Sequence, residues 1–387
     1  MPKILLIFEE FMKNILPYLK TKKTLLLVGF LILSRVFTFF ISYNSYNNHF
    51  QNEPPISLVN FIQVFGKRWD GNSNTFVAKE GYVTTLPEST FIVFPPLYPL
   101  LIKIVENLIG DFVLSGVIIS NIFFVLAAIM FYKLLKLDFS KNVSIAVVVL
   151  IAIFPTSYFF SVAYPESLLF LLITITLYLL RKNKLFLAVI VAGLASLTKP
   201  FGLALWIPVA LQVFLNTNLK KAIVYMLILS SFWAIYLGLN KQVYGDYFAF
   251  SKFLSSNWHK TPAPFWKGIA SQWRWVLGNN KINKEVVIHG IFESVASTTA
   301  IVFSILSFTK KYKLHITYSL YFLFSAILFT STSYILSAPR YLISIPPFFI
   351  ILAKLLKNKY AKTLWIAVSI LALIALASEF AIGHWAY

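Results

Sequence analysis

The sequence predicts an all-α, polytopic integral membrane protein with about eleven transmembrane helices, and two observations carry that prediction. Of its 387 residues 58% are hydrophobic and only 12% are charged, about half the charged share of an ordinary soluble domain. The apolar residues are also clustered, in runs near the ~20 residues a helix needs to cross a hydrocarbon layer. Short lysine-rich stretches separate the runs.

The first run covers 24–43. Basic residues precede it, as in a secretory leader, but no small-residue cleavage pattern follows, so it reads as a retained span. Further runs lie at 112–132, 143–163, 166–180, 185–198, 201–215, 222–239, 286–308, 314–333, 341–353 and 363–383, and the shortest of them set a range of nine to thirteen spans. Two connections, 44–111 and 240–285, are too long for turns. Loops of such length are functional or disordered, and their many aromatics argue against disorder. Within the first, 96–109 is apolar but carries Lys103 and Glu106, which suits an amphipathic helix lying along the interface. Neither a repeat nor a low-complexity linker divides the chain, so 1–387 reads as one unit whose sites form where loops meet helix ends.

The formal charge of +20 raises the question of nucleic acid, and its distribution answers it. Threaded from a cytoplasmic N-terminus, the short loops on the inner side hold 20 of the 34 basic residues and three acids. The outer side holds 13 basic and 11 acidic residues, and Arg35 falls within the first span. This is the positive-inside pattern, so the charge encodes topology and no nucleic-acid partner is implied. Both long loops and the C-terminus then face outward. The chain has no cysteine, which excludes disulfides and thiolate metal sites.

Chemistry-bearing residues gather on the outer side. Lys67-Arg68-Trp69-Asp70-Gly71 sets a carboxylate beside two cations and an indole, with Glu80-Gly81-Tyr82 following. Asp70 there can serve as a general base; the plain alternative is a loop carboxylate paired with Arg68. In Tyr164-Pro165-Glu166-Ser167 a proline and an acid suit the first turn of a helix, while an acid at the lip of a span also marks a functional site. Arg35, Lys199 and Arg340 escape the inner lysine clusters and lie on the outer half of apolar segments, where cations jointly bind a phosphate; snorkelling is the bland reading for Arg35. Lys199-Pro200 marks a helix break of the kind tolerated where it lines a cavity. His259 and the tryptophans of the second loop read as interfacial anchors. The sequence has no paired-His metal motif, Asp-x-Asp, Walker loop, dinucleotide fingerprint or nucleophile elbow. No cofactor is indicated, and a divalent metal has no motif behind it.

In order along the chain, Arg68-Trp69-Asp70 with Ala78-Lys79-Glu80-Gly81-Tyr82, Phe94-Pro95-Pro96-Leu97-Tyr98-Pro99, Phe154-Pro155-Thr156-Ser157 through Tyr164-Pro165-Glu166-Ser167, Leu197-Thr198-Lys199-Pro200-Phe201-Gly202, Gly245-Asp246-Tyr247-Phe248-Ala249-Phe250 and Ser337-Ala338-Pro339-Arg340-Tyr341-Leu342 resemble motifs of the PIG-V type mannosyltransferases. That is the GPI mannosyltransferase II group with its prokaryotic relatives, in the C-type (GT-C) class of membrane glycosyltransferases. The resemblance implies a GT-C-like fold in a prokaryotic plasma membrane. It also implies transfer of a sugar, typically mannose, from a polyprenyl-phosphate carrier to a lipid, glycan or protein hydroxyl on the extracytoplasmic face, with inversion. Asp70 matches the functional acid of the first large loop. The chain departs from the pattern at Ser73 and Asn74, where a His and an aromatic are usual, and at Lys199, where Arg is usual.

The expected roles are then Asp70 as base, Arg340 and Lys199 with Arg35 on the donor phosphate, and Arg68, Trp69, Glu80, Tyr82, Tyr98, Glu166, Asp246 and Tyr341 around the substrates. A polytopic transporter or lipid-linked oligosaccharide flippase is the rival from another class, although no repeated halves of the transporter kind are visible. A lipid-linked polymerase or ligase would share the donor and the membrane face. A purely anchoring subunit would leave the outer cations unexplained.

Overall fold

The computed structural model describes residues 22–279 and 282–386. Lys3, Lys13 and Lys20, with Glu9 and Glu10, contribute to the expected cytoplasmic N-terminus and lie outside the described residues. The chain is all-helical; among the described residues the only extended pairing is an isolated bridge between Pro262 and Thr332.

Helix α1 (Lys22–His49) opens the described chain, and Leu25, Leu26, Leu33 and Phe40 project outward from it. Exposed apolar side chains on a helix of this length are what contact with lipid requires. The first long connection folds into α2 (Leu58–Gly66), α3 (Asp70–Glu80) and α4 (Leu97–Ile109), so the stretch 96–109 is helical as expected. Gly110 ends α4 in the left-handed conformation at φ 78°, which lacks a steric penalty only in glycine. The Asp111 carboxylate then accepts from Leu114 N at 2.7 Å and caps α5 (Phe112–Leu135).

Helices α6 (Lys141–Ala152), α7 (Glu166–Arg181), α8 (Leu185–Ser196), α9 (Trp206–Asn216) and α10 (Leu219–Tyr244) follow. The second long connection forms α11 (Ala249–Trp258) and α12 (Phe265–Gly278). A π-helical turn, Val286–Phe292, runs into α13 (Glu293–Leu306). Then come α14 (Ile316–Thr330), the short α15 (Ala338–Leu342), α16 (Pro346–Leu355) and α17 (Lys359–Ala381). Among the described residues five helical runs are long and apolar enough to cross a bilayer unaided: α1, α5, α10, 286–306 and α17. Shorter apolar helices complete the bundle. At 12 residues each, α6 and α8 rise roughly 18 Å, well short of a ~30 Å hydrocarbon layer.

Prolines explain three departures from the expected spans. The run 143–163 is not one helix: α6 stops at Ala152, ahead of Pro155, because proline lacks an N–H and restricts the residue before it. Residues 153–165 continue as buried irregular backbone around a 3-10 turn, Ser157–Phe160. The run 201–215 splits into a 3-10 turn from Pro200 and α9. The run 341–353 begins only at Pro346, which leaves Arg340 and Tyr341 on the separate α15 before the span. Irregular backbone at this depth must have its polar groups met inside the protein. Within 152–165 side chains from α1 and α5 meet several of them: Arg35 donates to the carbonyls of Ala152 and Ser157, Asn121 to that of Ser161 and Ser120 to that of Tyr164. Beside it, Thr156 donates to the Pro339 carbonyl of α15 at 2.9 Å.

Packing places the first and last described helices together. Ser45 of α1 and Ser378 of α17 share a 2.7 Å hydrogen bond, and beyond α17 Trp385 returns to the Trp69 turn ahead of α3. At the opposite end Asp138, Arg181 and the Tyr318 hydroxyl form a three-way latch tying the α5–α6 loop to α7 and α14.

Candidate active site

The site is built on a strained turn. Trp69, between α2 and α3, has φ 49°, a conformation costly for a bulky residue. The buried Tyr164 phenol holds it: the hydroxyl donates to Arg68 O at 3.0 Å and accepts from Asp70 N at 3.1 Å. Next to it, any Cβ on Gly71 would stand 2.1 Å from Gly66 O, so only glycine lets α3 start hard against the end of α2. Asp70 is thereby fixed as the first residue of α3.

Its carboxylate meets Arg340 from α15, with Oδ2 to Nη1 at 2.6 Å. Arg340 Nε is 3.7 Å from Glu166 Oε1, and the same oxygen is 2.5 Å from Lys199 Nζ. Four residues distant in sequence thus form one chain of charge, Asp70–Arg340–Glu166–Lys199. Glu166 is wholly buried, and its Oε2 and the Arg340 Nε lack hydrogen-bond partners, so the site retains unused polar capacity where charge is concentrated. Tyr341 sits among the cations: Lys260 Nζ is 2.8 Å from its hydroxyl, and Lys199 Nζ lies 5.2 Å from its ring centre. Arg340 rests over Phe159 at 5.2 Å and Tyr164 at 5.6 Å, contacts that favour a cation over an aromatic face.

Electrostatics follow from this layout. Burial opposes the charge of Arg340, but Asp70, Tyr341 and Glu166 more than offset it and push its pKa well above the usual range. Burial likewise opposes ionisation of Tyr341, yet Lys260, Arg340 and Lys199 together hold its phenol down to about 8. The orientation of α15 has its own device: both carboxylate oxygens of the buried Glu293 accept from the N–H groups of Ser337 and Ala338, each at 2.6 Å. Among the described residues no three His, Asp or Glu side chains group as metal ligands do.

The structure brings Asp70, Glu166, Lys199, Arg340 and Tyr341 together, and it sets several expected site residues elsewhere. Arg35 does not reach the cations; its guanidinium is committed to the Ala152 and Ser157 carbonyls and lies 4.5 Å from the Phe124 ring centre. It braces the segment carrying Phe159 and Thr156, which backs α15. Arg68 turns away from Asp70 and caps α17 through Ala381 O at 2.8 Å. Glu80 pairs with Lys79 on the surface. Asp246 pairs with Lys252 at 2.6 Å, and that hydrogen bond with the one from Phe248 N holds its carboxyl below the usual range. Tyr82 donates to Phe94 O within the first long connection, and the buried Tyr98 donates to Gly116 O and bonds Ser120, tying α4 to α5, so neither hydroxyl bonds a charged group of the site. Trp69 flanks Asp70 and packs edge-on against Trp385 at 5.1 Å.

Lys260, Glu293 and Trp385 were not singled out by sequence. Lys260 is one of seven basic residues in its loop, and nothing local marks it. Glu293 did carry a signal, a lone acid inside a predicted apolar span.

Residues 94–238 match the sequence profile of the family described as dolichyl-phosphate-mannose-protein mannosyltransferase. No curated protein matches the chain. The matched stretch runs from the start of α4 into α10 and holds Glu166 and Lys199, while Asp70, Lys260 and Arg340 lie outside it. Together with the all-helical bundle, this similarity supports an integral membrane glycosyltransferase of the mannosyltransferase type, in the GT-C class. It does not single out the PIG-V group.

Proposed function

We propose that the chain transfers a mannosyl group from a polyprenyl-phosphate carrier to a hydroxyl acceptor on the extracytoplasmic face, with inversion. The observation that carries this reading is the convergence of one partly open carboxylate with three cations. Arg340, Lys199 and Lys260 gather there with Asp70 and Glu166, and the third carboxylate nearby, Glu293, is turned onto the backbone N–H groups of Ser337 and Ala338. A polyprenyl phosphosugar is a phosphodiester with a single negative charge, and three cations gathered at one place suit it.

In the proposed step Asp70 takes the acceptor's hydroxyl proton while the acceptor oxygen bonds to the anomeric carbon from the face opposite the phosphate. The carbon–oxygen bond to phosphate breaks with its electron pair, and polyprenyl phosphate leaves as an anion held by Arg340, Lys199 and Lys260. Fixed charges aimed at charge that develops in the transition state are a large source of rate. The leaving group is a stabilised anion, so no separate general acid is needed, whereas the weakly nucleophilic hydroxyl gains from a base. Glu166 holds the cations apart and positioned.

Topology supports the outward site. The predicted inner loops are basic, and Asp70, Lys199, Lys260 and Arg340 all belong to the opposite side in that threading. The six ordered motifs support the finer placing in the PIG-V type group of a prokaryotic plasma membrane, with the whole chain as one catalytic unit. The test is to incubate the reconstituted protein with short-chain polyprenyl-phosphate mannose and glycolipid, oligosaccharide and peptide acceptors, and to weigh the products. An acceptor heavier by one hexose, with release of polyprenyl phosphate, is expected. Movement of the intact carrier across the bilayer without cleavage would instead establish the flippase alternative.

A further inference from the structure

We infer that a cavity behind the Trp69–Trp385 pair is a carbohydrate subsite, which makes the acceptor a neutral glycan; this deepens the proposed transferase reading and rests on it. The cavity, about 580 Å³, lies between α12, the π-helical turn, the 331–337 segment and the C-terminal segment. That volume is in the range of small-molecule sites, roughly 300–1,000 Å³.

Its walls combine two kinds of group. Trp275, Tyr334 and Trp385 supply aromatic surface, while Ser271, Glu285 and His289 supply hydrogen-bonding groups. Trp275 and Tyr334 keep 39% and 42% of their surface exposed, so packing has not consumed the rings. A Cβ at residue 290 would lie 2.6 Å from the Trp275 ring, and the glycine there is what lets the indole lie against the π-helical turn.

The lining discriminates among ligands. An anion would meet Glu285, and the three site cations are not among the lining residues. A purely apolar chain would strand the polar groups against it. An extended peptide seeks a free main-chain edge, and at 331–333 that edge is already paired: Ala263 N donates to Ser331 O at 3.1 Å, and Ser333 N to Thr261 O at 2.8 Å. A sugar ring, with C–H faces for aromatic rings and hydroxyls for the polar groups, satisfies both parts of the wall.

The cavity also neighbours the charged site. Its Trp385 packs on Trp69, the residue before Asp70, and its Leu336 carbonyl lies 3.4 Å from Lys260 Nζ. A sugar held there is one aromatic pair away from the turn that carries the proposed base and one residue away from a cation of the proposed phosphate site.

Full-length protein in nanodiscs, free of glycoside detergents, should be probed by saturation-transfer NMR with methyl α-mannoside, mannotriose and a Ser/Thr peptide. Saturation of the sugar ring protons is expected, with affinity at least tenfold weaker in Trp275→Ala and Tyr334→Ala. The exposed Tyr334 gives the decisive variant where Trp275→Ala fails to fold. Absence of sugar contact in the wild type, or unchanged affinity in Tyr334→Ala, overturns the inference. Hexose transfer onto the peptide without sugar binding overturns it and leaves the transferase reading standing. Sugar binding without transfer from any polyprenyl donor upholds the carbohydrate subsite and defeats the transferase reading.

Discussion

Replacing Glu166 by Gln isolates the electrostatic core of the account, because the amide keeps the shape and one acceptor oxygen while it removes the charge and puts an NH2 donor in place of the other oxygen. Glu166 is fully buried, 2.5 Å from Lys199 Nζ and 3.7 Å from Arg340 Nε. Removing one partner of a buried ion pair costs about 3–5 kcal/mol. Lys199 keeps a neutral hydrogen bond worth ~1 kcal/mol, which brings the expected loss to about 2–4 kcal/mol. The site gains one unit of positive charge, so an anionic ligand compensates more of it. At an effective dielectric constant near 20, one added charge roughly 6 Å away contributes about 2–3 kcal/mol, or at least tenfold in affinity. Thermal unfolding of the purified protein, with and without short-chain polyprenyl phosphate, reads both terms. The variant should melt below wild type, and the ligand should stabilise it more than it stabilises wild type. Equal melting and an equal ligand response would remove Glu166 from any phosphate site.

Other perturbations test the parts separately. Tyr164→Phe removes the hydroxyl that clamps the Trp69 turn, two hydrogen bonds at ~1 kcal/mol each, and should cut transfer tenfold or more while donor affinity stays within threefold; unchanged turnover would show that the turn holds itself. Arg35→Met takes the guanidinium from the Ser157 carbonyl and leaves the Ala152 carbonyl with only the Ser157 hydroxyl, and should lower stability by about 1–3 kcal/mol with little change in donor KM, whereas a large rise in KM at constant kcat would restore Arg35 as a phosphate ligand. Tyr341 is neutral below its pKa of about 8 and negative above it, so ionisation inserts an anion among the cations; donor KM should climb as pH rises from 8 to 9 and stay level over that interval in Tyr341→Phe. A level wild-type profile would contradict the placement of Tyr341 at the donor phosphate.

The membrane fold was legible in the clustering of apolar runs, because the bilayer imposes both their length and the basic bias of the inner loops. The 96–109 helix was legible in the same way, from spaced apolar residues interrupted by Lys103 and Glu106. The broken runs were not: 143–163 reads as one apolar run despite Pro155, and only the packing of Arg35, Ser120 and Asn121 against the freed backbone explains why the chain stays buried there. Asp70, Glu166, Lys199 and Arg340 stood out as charges misplaced among apolar or aromatic neighbours, and that misplacement is physically costly unless the charges meet. What the sequence lacked was their pairing. It offered Arg68 as the neighbour of Asp70, yet the turn at Trp69 sends the two side chains apart, and the true partner lies 270 residues away. Arg35 carried the same signal as Lys199 and Arg340, but its charge is used on helix-end carbonyls, a role that a linear reading cannot separate from phosphate binding.

The most direct measurement is single-turnover hexose transfer from short-chain polyprenyl-phosphate mannose by wild type and Asp70→Asn side by side, both verified as folded and inserted. A general base contributes about 10²–10⁴-fold, so the wild type should form product and the variant should lose at least a hundredfold in rate. Equal rates would contradict Asp70 as the base and with it the mechanism built around the Asp70–Arg340 pair.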